Sequence, residues 1–231
     1  MLRQIYKIIK HTIAANKADV LVISAGKSGS TYLTQCITKR SVYHVHSIIS
    51  DFYFKYQTHT AYQKLRYQVL LIFAKSVWAI VRKWKAPQII VFPYRENYQH
   101  RISLFFNDLE DFIYLFKKNH KETYRTARYE GALEFLSLVK SVMVAENPTR
   151  RLFLEWQYLL GAKEIVLPDN RSTIVKLAVN RSIIFLVPSA LLSDFVSDNV
   201  NIFDNPIAER INQSEEFWWA SLYYAVKNAE C

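Results

Sequence analysis

The stretch "AGKSGSTYL", Ala25 to Leu33, gathers one lysine, three small hydroxyl side chains and two glycines directly behind an apolar run. Such a set can hold an anion. At a helix N-terminus the leading N–H groups lack intrahelical partners, and the helix dipole favours negative charge. Ser28, Ser30 and Thr31 add hydroxyl donors, Tyr32 follows them, and Lys27 adds a mobile positive charge. The chain has four glycines in all. Placing Gly26 and Gly29 here points to a loop that needs unusual backbone angles or close approach. A second set is "YHVHSI", where His44 and His46 stand two apart. On a strand that spacing puts both on one face, and an imidazole is the natural acid or base near neutral pH. His46, nearer the strand's end, is the first candidate base and His44 the second; Asp51 and His59 rank below them. Two histidines on one face could also pair on a metal, but no third ligand stands nearby in sequence, so no metal is expected.

These groups need elements to hold them. "DVLVIS", Asp19 to Ser24, reads as a buried parallel strand feeding the loop, with a helix from Thr31 onward, Ser30 near its cap and Cys36 inside it. "SVYHVHSI", Ser41 to Ile48, reads as a second strand. A mostly helical region spans Phe54 to Lys85, and its segment "VLLIFAKSVWAIV" is too short and too charged to cross a bilayer. "QIIVFPYR", Gln88 to Arg95, is a third strand, closed by Pro93. Helices are expected over Gln99–Phe116, Ala127–Ala145 and "RLFLEWQYLLG", the last stopped by Gly161. "EIVLP" and "RSIIFLVP" read as later strands, and "SEEFWWASLYYAVKN" as a closing helix. Strands alternating with helices imply an α/β fold, a three-layer sandwich around a mostly parallel sheet, with many flanking helices. No repeat or linker interrupts the chain, so residues 1–231 read as a single domain.

With 231 residues, 51% of them hydrophobic and 22% charged, the chain is long enough for a sizeable core and too apolar for disorder. Its net charge of +10 favours anionic partners without choosing among them. Cys36 and Cys231 make neither a disulfide framework nor a metal spacing. The start, "MLRQIYKIIKHTIAANK", reads as an amphipathic helix over residues 1–17 rather than a secretory signal. Leu2, Ile5, Ile8, Ile9 and Ile13 share one face, expected to pack on the domain, with peripheral membrane contact as the other option. A cytoplasmic location is expected, membrane-peripheral if that helix meets lipid.

Gly26-Lys27-Ser28 invites comparison with the nucleotide-hydrolysing P-loop, G-x-x-x-x-G-K-S/T. The first glycine should then be residue 21, which is Leu21 in mid-strand. The strand that could carry a magnesium-holding acid ends in Arg95. An atypical P-loop kinase or NTPase is therefore the weaker reading. "AGKSGSTYL" instead resembles the 5′-phosphosulfate loop of sulfotransferases that use 3′-phosphoadenosine 5′-phosphosulfate (PAPS). A second segment, "VFPYRENYQHRISLFF", resembles that family's 3′-phosphate site: Arg95, then Ser103 eight positions on, with Arg101 and Phe105-Phe106 as in carbohydrate sulfotransferases. "YHVHSI" and "ASLYYAVKN" are similar to bacterial sulfotransferase-like proteins of capsular polysaccharide loci. The Pro that precedes the loop lysine in small-molecule sulfotransferases is absent, as is their late Gly-rich segment.

The resemblance implies a PAPS-dependent sulfotransferase that sulfates a hydroxyl of a carbohydrate or glycoconjugate and needs no metal. Gly26, Lys27, Ser28, Gly29, Ser30, Thr31 and Tyr32 would hold the 5′-phosphosulfate, with Lys27 neutralising the departing bridging oxygen. Arg95, Arg101 and Ser103 would hold the 3′-phosphate, with His100 near the nucleotide. A non-catalytic basic module for nucleic acid or membrane is the remaining alternative. Nucleic acid is not expected, because "FWWASLYY" reads as a core face rather than a base-stacking platform.

Overall fold

The computed structural model describes residues 2–25, 28–49, 61–95, 148–163, 165–168 and 172–205. The chain divides into two compact units, Met1–Asn97 with Glu146–Arg210, and Tyr98–Ala145 with Ile211–Cys231; the described residues all belong to the first. The helices expected over 99–116 and 127–145 and at the C-terminus lie outside the described residues.

The first unit is an α/β fold. Helix α1 (Leu2–Lys17) leads to β1 (Val20–Ile23), α2 (Ser30–Gln35), β2 (Val42–Val45), α3 (Ala61–Arg82) and β3 (Ile89–Tyr94). After the undescribed stretch come α4 (Pro148–Leu160), β4 (Val175–Val179), β5 (Ser182–Pro188), a 3₁₀ turn (Ser189–Leu191) and α5 (Leu192–Asp198). The five strands form one mixed sheet in the order β2-β1-β3-β5-β4, parallel except for β4, which runs antiparallel to β5.

Strands buried on both faces read as unbroken apolar runs, as in "VLVI" and "IIVFPY", whose residues are all buried. Successive side chains go to opposite faces. Leu21, Ile23, Ile90 and Phe92 join a cluster with α1, α3 and α4. Val20, Val22, Ile89 and Val91 join another with α2 and α5. In the first cluster Trp78 of α3 meets Trp156 of α4 edge to face, with ring centroids 5.3 Å apart. Such a pair adds about 0.5–1.5 kcal/mol to the burial itself.

Several boundaries differ from those read in the sequence, each for a local reason. Pro93 does not close β3 but pairs with Val187 inside it. The Ile89 N–H faces β1, donating to Asp19 O, so Pro93, four residues on, faces the same side. Pairing with β1 ends at Val91, so the missing proline N–H costs no ladder bond. β2 stops at Val45, short of Ile48, whose N–H goes to the Glu155 carboxylate (3.0 Å) and not to a neighbouring strand. Residues 165–168 are irregular, not a strand: the Gln157 amide donates to the carbonyls of Lys163 (3.1 Å) and Ile165 (2.7 Å).

β4 was not anticipated, although Val175, Leu177 and Val179 alternate inward on it and Asn180, at φ 56°, makes the tight turn into β5. α5 was not anticipated either. Gly161 does stop α4. At φ 70° it donates to Tyr158 O (3.3 Å) while Ala162 donates to Gln157 O (3.0 Å), the paired bonds of a Schellman motif.

α1 buries a different face from the one its isoleucines suggest. Ile8 is buried, with Thr12, Ala15 and Asn16 beside it, whereas Leu2, Ile9 and Ile13 are exposed. Ile8 and the partly buried Ile5 are the large side chains that α1 packs on the core; the other positions it buries are the smaller Thr12, Ala15 and Asn16.

Candidate functional site

The sheet order reverses at β1: the chain passes from β1 to β2 on one side, then to β3 on the other. In open α/β sheets ligands bind outside the carboxyl ends of the strands at such a switch point. The loop of Ser24 to Gly29 leaves the carboxyl end of β1, and Arg95, half-buried, follows β3 directly. Two groups that lie about seventy residues apart in sequence thus stand at the ends of adjacent strands.

Within the loop, Ser28 is fully buried and its carbonyl accepts from Ser189 Oγ (2.8 Å). The same hydroxyl lies 3.0 Å from Tyr94 O, so one serine at the end of β5 ties the loop to the end of β3. Ser28 Oγ, also buried, has no hydrogen-bond partner among the described residues. A buried hydroxyl left without a partner is costly, and an anionic oxygen is a partner that would satisfy it.

Gly29 caps α2 at φ 88°, and a Cβ there would stand 2.4 Å from Leu192 Cδ1 of α5. The left-handed backbone favours glycine, and any side chain there would also have to displace the Leu192 methyl. Ser30 stands next to the cap, as expected, and is buried; the helix starts there, one residue before Thr31. Thr31 is exposed, Tyr32 packs against the second core cluster, and Cys36 lies just past the helix, which is six residues long. Gly26, Lys27, Arg101 and Ser103 lie outside the described residues, as do Asp51, His59 and His100.

The two histidines come together, with ring centroids 4.7 Å apart and the rings at 77°. His44 is on β2; His46 is one residue beyond its end. His44 Nε2 is 2.9 Å from Ser24 Oγ. Ser24 is fully buried, so this pair orients a ring and does not present a nucleophile. Burial, and secondly the neighbouring His46, bring the His44 pKa down to about 4, leaving a neutral imidazole at physiological pH. His46 Nδ1 is hydrogen-bonded to the Ser24 carbonyl. A carbonyl accepts, so Nδ1 carries the proton, and in the neutral ring Nε2 is left with its lone pair. This is the tautomer a general base needs.

The backbone at His46 is held from behind. Trp156 Nε1 donates to His46 O (2.9 Å). Next to Trp156, the fully buried Glu155 accepts from Ser47 Oγ (2.9 and 3.0 Å), Ile48 N (3.0 Å) and Tyr67 Oη (3.0 Å). Burial raises its pKa to about 7, against the opposing pull of those hydrogen bonds. Sequence reasoning missed Glu155, Ser24 and Ser189. For Glu155 a signal was present: the lone carboxylate of "RLFLEWQYLL", flanked by large apolar residues.

Among the described residues no three His, Cys, Asp or Glu side chains are grouped as metal ligands. No helix among them is long and apolar enough to cross a membrane. No protein-family model, curated protein or solved structure matches this chain.

Proposed function

We propose that this protein is a sulfotransferase that moves the sulfuryl group of PAPS to a hydroxyl of a carbohydrate or glycoconjugate, on a three-layer sandwich whose β1-loop-α2 unit is P-loop-like. One observation carries the reading: the hydroxyl-rich loop after β1 and Arg95 after β3 stand at the ends of neighbouring strands at the sheet's switch point. Those are the two segments whose residues resemble the 5′-phosphosulfate and 3′-phosphate sites. The orphan Ser28 hydroxyl supports it, as does the His46 tautomer with Nε2 unprotonated.

In this reading the acceptor oxygen attacks sulfur, and the bond from sulfur to the 5′-phosphate oxygen breaks in line. His46 Nε2 takes the hydroxyl proton. The leaving 3′-phosphoadenosine 5′-phosphate (PAP) departs with its negative charge balanced by Lys27, while Arg95, Arg101 and Ser103 hold the 3′-phosphate. The chemistry needs no metal.

The test compares thermal shifts with PAP and with ATP plus Mg²⁺, since a ligand stabilises in proportion to its affinity for the folded state. The expected result is a shift with PAP that Arg95→Ala removes. A shift with ATP and Mg²⁺ together with none from PAP overturns the reading. Transfer of labelled sulfate to glycans, abolished by Lys27→Ala, then tests the reaction itself.

A further inference from the structure

α1 and α3 lie side by side over the same face of the sheet, joined by a hydrogen bond from Arg66 Nη2 to Gln4 Oε1 (2.6 Å). Their outer surfaces are apolar to a degree the fold does not use. On α3, Leu65, Val69, Ile72 and Ile80 are exposed; Leu65 is 60% and Ile72 58% accessible. At one residue per 100° they span an arc of about 80°, opposite the buried Leu70, Ala74 and Trp78. On α1, Leu2, Tyr6, Ile9 and Ile13 form a second exposed stripe. Just past α3, Trp84 is 87% exposed between Lys83 and Lys85.

Apart from Asp19, which pairs with Lys85 (3.8 Å) beside Trp84, the charges around these stripes are basic. Neither helix contains an Asp or Glu. Arg3, Lys7, Lys10 and Lys17 flank the stripe of α1, with Lys64 and Lys83 at the two ends of the α3 ridge; all six are exposed, and none is ion-paired among the described residues. Aliphatic ridges, an exposed Trp and unopposed lysines in one layer match the interface of a bilayer with anionic headgroups. Nucleic acid would use the lysines and leave the aliphatic ridge without a role. A second copy of the same face would set lysine against lysine.

We infer that the outer face of α1 and α3 docks the protein on a membrane surface rich in anionic lipid, with both helices lying in the plane of the interface. Their lengths of about 24 and 33 Å make a contact area wide enough for that. The inference is independent of the sulfotransferase reading.

The test is co-sedimentation of the full chain with vesicles of phosphatidylcholine alone and of phosphatidylcholine with phosphatidylglycerol. Partition onto the anionic vesicles should be at least about tenfold stronger and should weaken with salt. Leu65→Glu with Ile72→Glu should reduce it by about tenfold or more. Lys7→Ala and Lys10→Ala should each cost about fivefold. Val200→Glu, exposed beyond α5, should leave it unchanged. All these positions are exposed, so the variants should fold, which circular dichroism verifies. No partition onto phosphatidylglycerol vesicles overturns the inference, as does an equal loss in Val200→Glu. So does self-association in sedimentation equilibrium that Leu65→Glu with Ile72→Glu abolishes while vesicle binding stays absent, which would make the face a contact between copies.

Discussion

Replacing Glu155 by Gln should change how stability depends on pH, and the sign can be worked out in advance. Glu155 is fully buried, and its pKa rises from an ordinary 4.5 to about 7. Between those values the folded protein holds a proton that the unfolded chain has released. The group's contribution is therefore fully present below pH 4.5 and is lost as pH rises through 7. The gap corresponds to about 3 kcal/mol. Gln keeps the shape, can accept from Ile48 N and can donate toward Tyr67 and Ser47, but does not titrate.

His44 works the other way. Its pKa falls from 6.5 to about 4, so its contribution is present above pH 6.5 and lost as pH falls through 4. The two oppose each other over much of the same range, so the wild-type curve alone is uninformative. The decisive quantity is the difference between wild type and Glu155→Gln, from urea denaturation at pH 4.5 and pH 8. It should move by about 3 kcal/mol against the wild type on going to pH 8, or about 6–12 °C in Tm for a chain of this size. A difference that stays constant across that range would refute the argument that this carboxyl is buried and protonated at acid pH.

The remaining predictions are local. Gly29→Ala meets both a positive φ and Leu192 Cδ1, and should cost about 2–4 kcal/mol in urea denaturation; adding Leu192→Ala should relieve the clash but not the backbone strain. Gly161→Ala has the same kind of φ and open space around it, so it should cost about 1 kcal/mol, and a loss as large as that of Gly29→Ala would contradict the packing argument. Under the proposed function, His46→Ala should lower sulfuryl transfer by about 10²–10⁴-fold while keeping the thermal shift with PAP; loss of that shift as well would assign His46 to binding rather than proton transfer. Ser189→Ala removes the hydroxyl that links Ser28 O to Tyr94 O and should weaken PAP binding more than it lowers Tm.

Much of the scaffold was legible because its signals are local. Short apolar, β-branched runs such as "VLVI", "IIVFPY" and "SIIFLVP" read as largely buried strands, and Gly161 announces the end of α4 by the left-handed backbone it allows. The same locality explains the errors. A run such as "IVLP" has strand-forming residues, yet Gln157 takes the Ile165 carbonyl at its start, and nothing within the run reveals a side chain from the preceding helix. Pro93 reads as a strand end because its missing N–H should break a ladder; that it faces the side where β1 has already stopped depends on register between strands.

The chain by itself determined which residues could bind an anion or move a proton: Lys27 and its hydroxyl neighbours, Arg95, His44 and His46. Tertiary structure decided what those residues are next to. Strand order set the loop beside Arg95, because β1 is completed on one side by β2 and on the other by β3. The Ser24 carbonyl selected the His46 tautomer, and packing turned α1 so that Ile8 and its small neighbours went inward while Leu2, Ile9 and Ile13 stayed out. Glu155 reaches Ser47 and Tyr67 across 108 and 88 residues of chain. Contacts at such separation depend on how whole elements pack, and no window of sequence encodes them.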